Sequence, residues 1–282
     1  MRNKRSRKHA DPLMPDAGKA DLHVHTTASD GTVSPKRLLE HVERRTDLDV
    51  VAITDHDTLE GALEAKRIHD AGDYRFDLVL GEEITSTAGH ILALFIKQPV
   101  PKELSAEETI RRIHQQGGLA IAAHPMLVLR YIDPDMLTAD GVGADVLLSE
   151  QFDGIEIVNG SPIMKDENAR ARLLNRTILF RAETGGSDAH ILEAVGKGYT
   201  LFPGRSATDL RRAIERKTTE AVSTKYRIRE VLRYGRFFAK VKLRETGKRI
   251  FGLFGQRRRG EHRASASSTG RGLRASGSKA PR

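Results

Sequence analysis

From residue 20 onward, short apolar runs take turns with longer segments of helical periodicity. Residues 20–25 alternate apolar and polar positions, as a half-buried strand does. Residues 35–45 predict a helix, with Ser34 at the N-cap and Pro35 at the first helical position, where its missing N–H costs nothing. Residues 49–54 form a continuous apolar run expected as a buried strand, and 59–69 return to helical spacing. Residues 78–85 and 91–96 predict two strands that pair with each other. Residues 105–116 predict a helix with Ser105 as N-cap and Glu108 completing a capping box; Gly117-Gly118 stops it. Residues 119–123 and 154–158 read as buried strands, 166–175 as a helix and 184–187 as the end of a short strand. Residues 199–202 read as a strand and 207–216 as a helix. Repeated strand–helix alternation predicts an α/β fold with a mostly parallel sheet. Periodicity alone does not separate a closed barrel from an open sheet.

The two ends differ from this body. Residues 1–19 are polar, contain Pro12 and Pro15, and are expected to be a disordered basic arm. In 225–254, Ile228, Val231, Leu232, Phe238, Val241 and Leu243 recur at roughly helical spacing, with Lys and Arg between them. That predicts a basic amphipathic helix, which Gly235 and Gly247 weaken. Residues 255–282 are rich in Arg, Ser and Gly and are expected to be a disordered tail. The domain is therefore expected at 20–224.

The net charge of +9 hides this division. Residues 225–282 hold 18 Lys and Arg against 3 Asp and Glu, and residues 1–19 hold 6 against 2. The remainder holds 23 against 33, so an acidic body carries two basic ends. An acidic body suits divalent cations. The basic C-terminal segment suits nucleic acid, an anionic membrane surface reached through Phe237, Phe238, Phe251 and Phe254, or packing on the domain. With no cysteine, disulfides, thiolate ligands and a cysteine nucleophile are excluded. No apolar run is long enough for a membrane span, and no apolar region follows the basic N-terminus. The expected location is cytoplasmic, or peripheral at the membrane.

The chemistry gathers where strands end. His23 and His25 lie two apart, so on a strand they face the same side, and Asp30 follows in the next loop. Alone, this pair equally suits two ordinary histidines beside a turn. Asp55-His56-Asp57 closes the run 49–54; either Asp57 or Thr58 is expected to cap the following helix, with His56 free to bind a metal. Glu82-Glu83 leads to His90 on the next strand; one glutamate faces inward, and Glu82 is expected in an exposed acidic turn. His124 sits before Pro125, a place for a satisfied core histidine or a ligand. Asp188 and His190 again lie two apart, after Gly185-Gly186. His9, His41, His69, His114 and His262 fall instead on helices or tails. Five strand ends thus present His, Asp or Glu. So many candidate ligands exceed what one ion takes and suit two or three. Oxygen and imidazole donors point to Mn²⁺, Zn²⁺, Fe²⁺ or Mg²⁺.

In this order, D-L-H-V-H-T-T-A-S-D-G, T-D-H-D, G-E-E-I, A-H-P and S-D-A-H resemble the PHP (polymerase and histidinol phosphatase) family over residues 20–224. The resemblance implies a distorted (β/α)7 barrel with two or three metal ions at the C-terminal ends of its strands. It implies His23, His25, Glu83 and Asp188 as ligands of the first ion, and Glu83, His90 and His124 of the second, with Glu83 bridging. Asp30, His56 and His190 would hold the third. The implied activity is phosphoester hydrolysis by a hydroxide held between ions. Asp188 would be ligand and proton acceptor, and His56 and His190 would serve the phosphate or the leaving oxygen.

The expected substrate is a small phosphorylated molecule, a nucleotide, or the 5′ end of a nucleic acid. Arg130, Lys197 and Asn159 are candidate substrate contacts; each is equally readable as surface charge or, for Asn159, as a turn residue. The chain resembles the small stand-alone members, such as nucleoside 3′,5′-bisphosphate phosphatases and 5′–3′ exonuclease-like proteins. Only 33 residues separate His90 from His124, so the extra domain those proteins carry there is missing. The compact form also resembles a branch containing carbamate hydrolases. A metal-stabilised binding module without turnover is the non-enzymatic alternative.

Overall fold

The structure, a computed structural model, describes residues 17–127, 140–237 and 239. Most of the predicted N-terminal arm, the loop carrying Arg130, and the tail 255–282 lie outside the described residues, as do Phe238, Val241, Leu243, Phe251 and Phe254. The chain runs β1 (Gly18–Asp21), α1 (Pro35–Arg45), β2 (Val50–Ile53), α2 (Glu60–Ala71), β3 (Asp77–Ser86), β4 (Gly89–Leu94), α3 (Ala106–Gln115) and β5 (Leu119–Ala122). It continues through α4 (Gly143–Ser149), β6 (Gly154–Asn159), α5 (Lys165–Leu174), a π-helical turn (Asn175–Leu179), β7 (Ala182–Gly186) and a 3₁₀ turn (Leu192–Ala194). It then forms β8 (Gly198–Phe202), α6 (Ala207–Glu215) and β9 (Glu220–Ser223).

These elements follow from local chemistry. α1 buries Leu38, Leu39 and Val42 on one face and ends in Arg44 and Arg45, whose charge complements the helix dipole. At α3 the Ser105 hydroxyl accepts the Glu108 N–H at 3.2 Å. The Glu108 carboxylate turns to Arg111 and Arg112, so the expected capping box is only half formed. A complete box stands at α6, between Ser206 and Asp209.

All strands join one sheet in the order β7-β6-β5-β4-β3-β2-β1-β8-β9. β1, β2 and β3 are mutually parallel, as are β5, β6 and β7. β4 is antiparallel to β3 and β5, which makes those two groups parallel to each other. β8 is antiparallel to β1 and β9 to β8. The sheet curls until its ends meet: the Thr200 hydroxyl on β8 bonds both the N–H and the C=O of Gly185 on β7, at 2.9 Å each. Beyond the strands, Val24 bridges Ala189 in parallel. The result is a nearly closed, barrel-like sheet.

Ala20 of β1 and Leu22 just after it, Val50 and Ala52 of β2, Val79 of β3, Leu92 and Leu94 of β4, and Leu119 and Ile121 of β5 share one buried core. Leu210, Ala213 and Ile214 of α6 join it. The Ala207 N–H bonds Asp77 at the start of β3, so α6 plugs the end of the barrel where the parallel strands begin. The opposite end is left for chemistry. A compact unit ends at Val231, within a helical stretch over 228–237.

Candidate metal centre

Each site residue is fixed by the backbone at a strand exit. The His25 N–H donates to the Ala189 carbonyl at 3.0 Å and the Thr54 N–H to the Val24 carbonyl at 2.9 Å, so the segment after β1 is held from both sides. His23 and His25 consequently face the same way, with ring centroids 5.1 Å apart. After β2 the chain runs beside β3: the Asp57 N–H donates to Glu83 and the Glu83 N–H to Asp55. The Asp57 carboxylate accepts the Thr85 N–H and hydroxyl at 2.8 and 3.0 Å, which sets His56 against Glu83. Asp57 is thus a clamp on β3 rather than a helix cap; it is the Thr58 hydroxyl that accepts the Glu60 N–H. Two ligand positions sit at positive φ, His124 at 27° and Asp188 at 52°. Asp188 takes the left-handed region that Asp tolerates, while His124 lies outside the common wells, a strain of the kind that gathers at functional sites.

Glu83 is the hub. Its Oε1 lies 3.0 Å from His90 Nδ1 and 3.0 Å from His124 Nε2. Its Oε2 lies 3.0 Å from His23 Nε2, 3.2 Å from His25 Nε2 and 3.3 Å from His56 Nδ1. Asp188 Oδ1 lies 3.2 Å from His25 Nε2 and 3.5 Å from both His23 Nε2 and His190 Nδ1. Asp30 Oδ2 lies 3.1 Å from His190 Nε2. All nine sequence-predicted ligands therefore converge. Within 4.8 Å their donor atoms form four groups: His25, Asp30, His56 and His190; His23, His124 and Asp188; His23, His25 and Glu83; and His56, Glu83 and His90.

The donor set fits divalent cations. Both ring nitrogens of His25, Nδ1 of His90 and Nδ1 of His124 are buried and make no hydrogen bond. His25 Nε2 faces two carboxylate oxygens at 3.2 Å without hydrogen-bond geometry, an arrangement of co-ligands rather than of donor and acceptor. Imidazole and carboxylate suit Mn²⁺, Zn²⁺ or Fe²⁺.

The electrostatics agree. Burial alone would raise Glu83, but His23, His56 and His90 hold it well below its ordinary value. Asp188 behaves likewise, burial being overcome by His23, His25 and His190. Burial lowers His25 and His23, yet the facing carboxylates push His25 up to about 10 and His23 well above its usual range. His56 is lowered, burial outweighing Glu83. Asp30 falls to about 2, because His190, His25 and His56 outweigh its burial. A site that holds protons this tightly attracts cations, and metal uptake would release those protons.

Supporting residues lie just behind: Glu156, which sequence reasoning missed, and Asp55, whose partners it did not name. Glu156 is buried; its Oε1 bonds His23 Nδ1 at 3.0 Å and its Oε2 accepts the His124 N–H at 2.9 Å. One carboxylate thereby orients ligands from two strand exits. Its signal was a charged residue inside the apolar run G-I-E-I-V. Asp55 accepts the Thr26 N–H and hydroxyl and the Ser29 hydroxyl at 2.6 to 2.7 Å, fixing the loop that ends in Asp30.

Three expectations change. Glu82 is fully buried, because the strand face opposite Glu83 is covered by the segment at Val100, whose N–H it accepts at 3.0 Å. Lys197 is drawn away from the centre: its ammonium pairs with Glu230 at 2.6 Å and lies over the Tyr226 ring. Asn159 reaches the centre but not as a free contact. Its Nδ2 donates to Glu156 and Asp188 at 3.1 Å each, and its Oδ1 accepts the Ser161 N–H in the expected turn.

Comparison with known proteins places this geometry. A family model described as the PHP domain matches residues 21–137, and one described as PHP-associated matches 167–219. An uncharacterized protein of Methanocaldococcus jannaschii is 38% identical over 149 residues, covering 49% of this chain and 85% of that one. A 5′-3′ exoribonuclease of Haemophilus influenzae is 34% identical over 107 residues, covering 36% of this chain and 38% of that one. A two-domain Bacteroides vulgatus protein, described as containing a predicted PHP-like metal-dependent phosphoesterase, shares the fold with a TM-score of 0.59 at 21% identity. That likeness covers 78% of this chain and 70% of the neighbour. The chain belongs to the PHP family and is a metal-dependent hydrolase.

Proposed function

We propose that this hydrolase cleaves phosphate esters of nucleotides or at the 5′ end of nucleic-acid strands. The observation that carries the reading is Glu83, whose two oxygens are shared between the His23–His25 and His56–His90 donor groups. One carboxylate shared by neighbouring groups suits ions close enough to act on one phosphorus. The exoribonuclease likeness, confined to about a third of each chain, supports the nucleic-acid part.

His23, His25, Glu83, Asp188, His90 and His124 would hold two ions, and Asp30, His56 and His190 a third, with Mn²⁺, Zn²⁺ or Fe²⁺ the candidates. Bound there, the ions supply Lewis acidity and a water that loses its proton near neutral pH. The rest is the chain's work. Glu83 and Asp188 fix the spacing of the donor groups. Asn159 holds Asp188 Oδ2, which leaves Oδ1 to the centre. Asp188 keeps partial contact with solvent at 20% exposure, so its carboxylate can accept a hydrogen bond from an incoming water and orient it. His56 and His190 stand at the rim beside exposed Asp30, where a leaving oxygen would be reprotonated. The buried walls formed by His23, Glu156 and Glu83 keep bulk water on one side only.

The test is hydrolysis by Mn²⁺-reconstituted protein of p-nitrophenyl phosphate, a bis-phosphodiester, a nucleoside 3′,5′-bisphosphate, a 5′-phosphorylated oligonucleotide and a carbamate ester. Turnover of phosphate esters is expected, abolished by chelation and by His25→Ala. Turnover of the carbamate alone would overturn the phosphoester reading, and silence with metal bound would overturn the assignment as an esterase of these substrates.

A further inference from the structure

The far end of the barrel carries a second arrangement of unmet donors. A shallow cavity of about 290 Å³ is lined by Asn175, Arg176, Phe180, Arg181, Lys217 and Thr219, together with Glu183. Glu183 stands near the start of β7 and Asp188 follows its end, so the cavity lies at the opposite end of that strand from the metal centre.

The local charges do not cancel. Both oxygens of Glu183 are taken by Arg176, at 2.6 and 2.8 Å. Arg181 gives one terminal nitrogen to Gln151 at 3.1 Å, but its Nε is buried and makes no hydrogen bond. Thr219 is 9% exposed and its hydroxyl is also buried without a partner. Lys217 stands exposed at the mouth. Arg181, Thr219 and Lys217 thus line one cavity, and its lining carboxylate, Glu183, is already engaged. What they lack is an acceptor of negative charge.

The backbone adds an independent sign. Phe180 at φ 51° ends the π-helical turn, and Lys217 at φ 56° follows α6. Helix ends in this left-handed conformation favour glycine, and a side chain there costs stability. Here the two positions carry a large aromatic ring and a long cation, and both line the same cavity. Phe180 is 62% exposed, and an exposed aromatic ring offers a planar ligand a surface to stack on.

We propose that this cavity binds a nucleoside phosphate, with its phosphate on Lys217, Arg181 and Thr219 and its base on Phe180. The ligand is a free nucleotide or one residue of a single strand. The site is separate from the metal centre and does not depend on the proposed reaction there.

Lys217→Gly and Phe180→Gly test this cleanly, because glycine relieves the backbone while removing the contact. Both variants should melt at or above the parent temperature. The probes are AMP, inorganic phosphate and a single-stranded decanucleotide lacking a 5′ phosphate, titrated calorimetrically into the Mn²⁺-treated full chain carrying His25→Ala, so that the metal centre does not hydrolyse them. Lys217→Gly and Thr219→Val should each weaken AMP binding at one site at least tenfold, with p-nitrophenyl phosphate turnover, read with His25 in place, unchanged. Phe180→Gly should weaken AMP but not inorganic phosphate. A decanucleotide held at least tenfold tighter than AMP assigns the site to strands, and equal or weaker binding assigns it to free nucleotides. Unchanged AMP binding in both Lys217→Gly and Thr219→Val overturns the site, whatever the metal centre does.

Discussion

Asn159 holds two carboxylates with one amide, giving a hydrogen each to Glu156 and Asp188. Asn159→Ala should weaken Mn²⁺ binding about 10- to 100-fold, the usual range for a residue that orients ligands. Asn159→Asp should do worse, since it sets a third negative charge against the other two. Titration against a competing chelator reads both, and parental affinity in Asn159→Ala would sink the orienting role. At this scale the candidate ligands were legible because their spacing is short: His23 with His25, and Asp188 with His190, are two apart, the second pair around the left-handed turn at Asp188. Asn159 and Lys197 were not, since their partners are 29 and 33 residues away. Glu156 stood in plain view as a charge in an apolar strand, but its partners His23 and His124 lie 133 and 32 residues away.

β3 shows what period-two alternation does and does not reveal. It correctly sends Glu83 and Glu82 to opposite faces. It says nothing of what covers the second face, and here that is the segment at Val100. Burial first, and Asp57 to a lesser degree, push Glu82 up to about 7, against the Val100 N–H, which lowers it. The folded protein then keeps a proton that the unfolded chain releases near pH 4.5. The stability it confers is fully present below about 4.5 and is lost as pH rises to about 7. The shift corresponds to about 3 kcal/mol at most. Glu82→Gln should remove this slope: its melting temperature should gain on the parent between pH 5 and pH 8, with equal metal in both. Parallel melting profiles would show that Glu82 is ionised in the fold. The long elements were legible to within a residue or two of their ends. α4 and β9 were not, because α4 buries only Leu147 and β9 has two apolar residues.

The whole molecule depends on closing a sheet whose ends come from distant parts of the chain. Periodicity named the strands but not their order, so the barrel came from resemblance alone. Closure requires close backbone approach: a Cβ on Gly198 would stand 2.1 Å from the Gly186 carbonyl oxygen. Gly198→Ala should therefore cost about 1–3 kcal/mol or more, read as a lower denaturant midpoint, and a neutral result would show that the seam is looser than drawn. The seam also sets a schedule. Asp21 bonds the Ser187 N–H across 166 residues, and the ligands His23 and Asp188 flank that same bond. A ribosome adding roughly 5–20 residues per second takes about 10–30 s to cover that interval. During that time His23 and His25 are made and Asp188 is not. Before Ser187 emerges, the nascent chain can hold at most seven of the nine candidate ligands, and the group of His23, His124 and Asp188 cannot assemble until the residues after β7 have emerged.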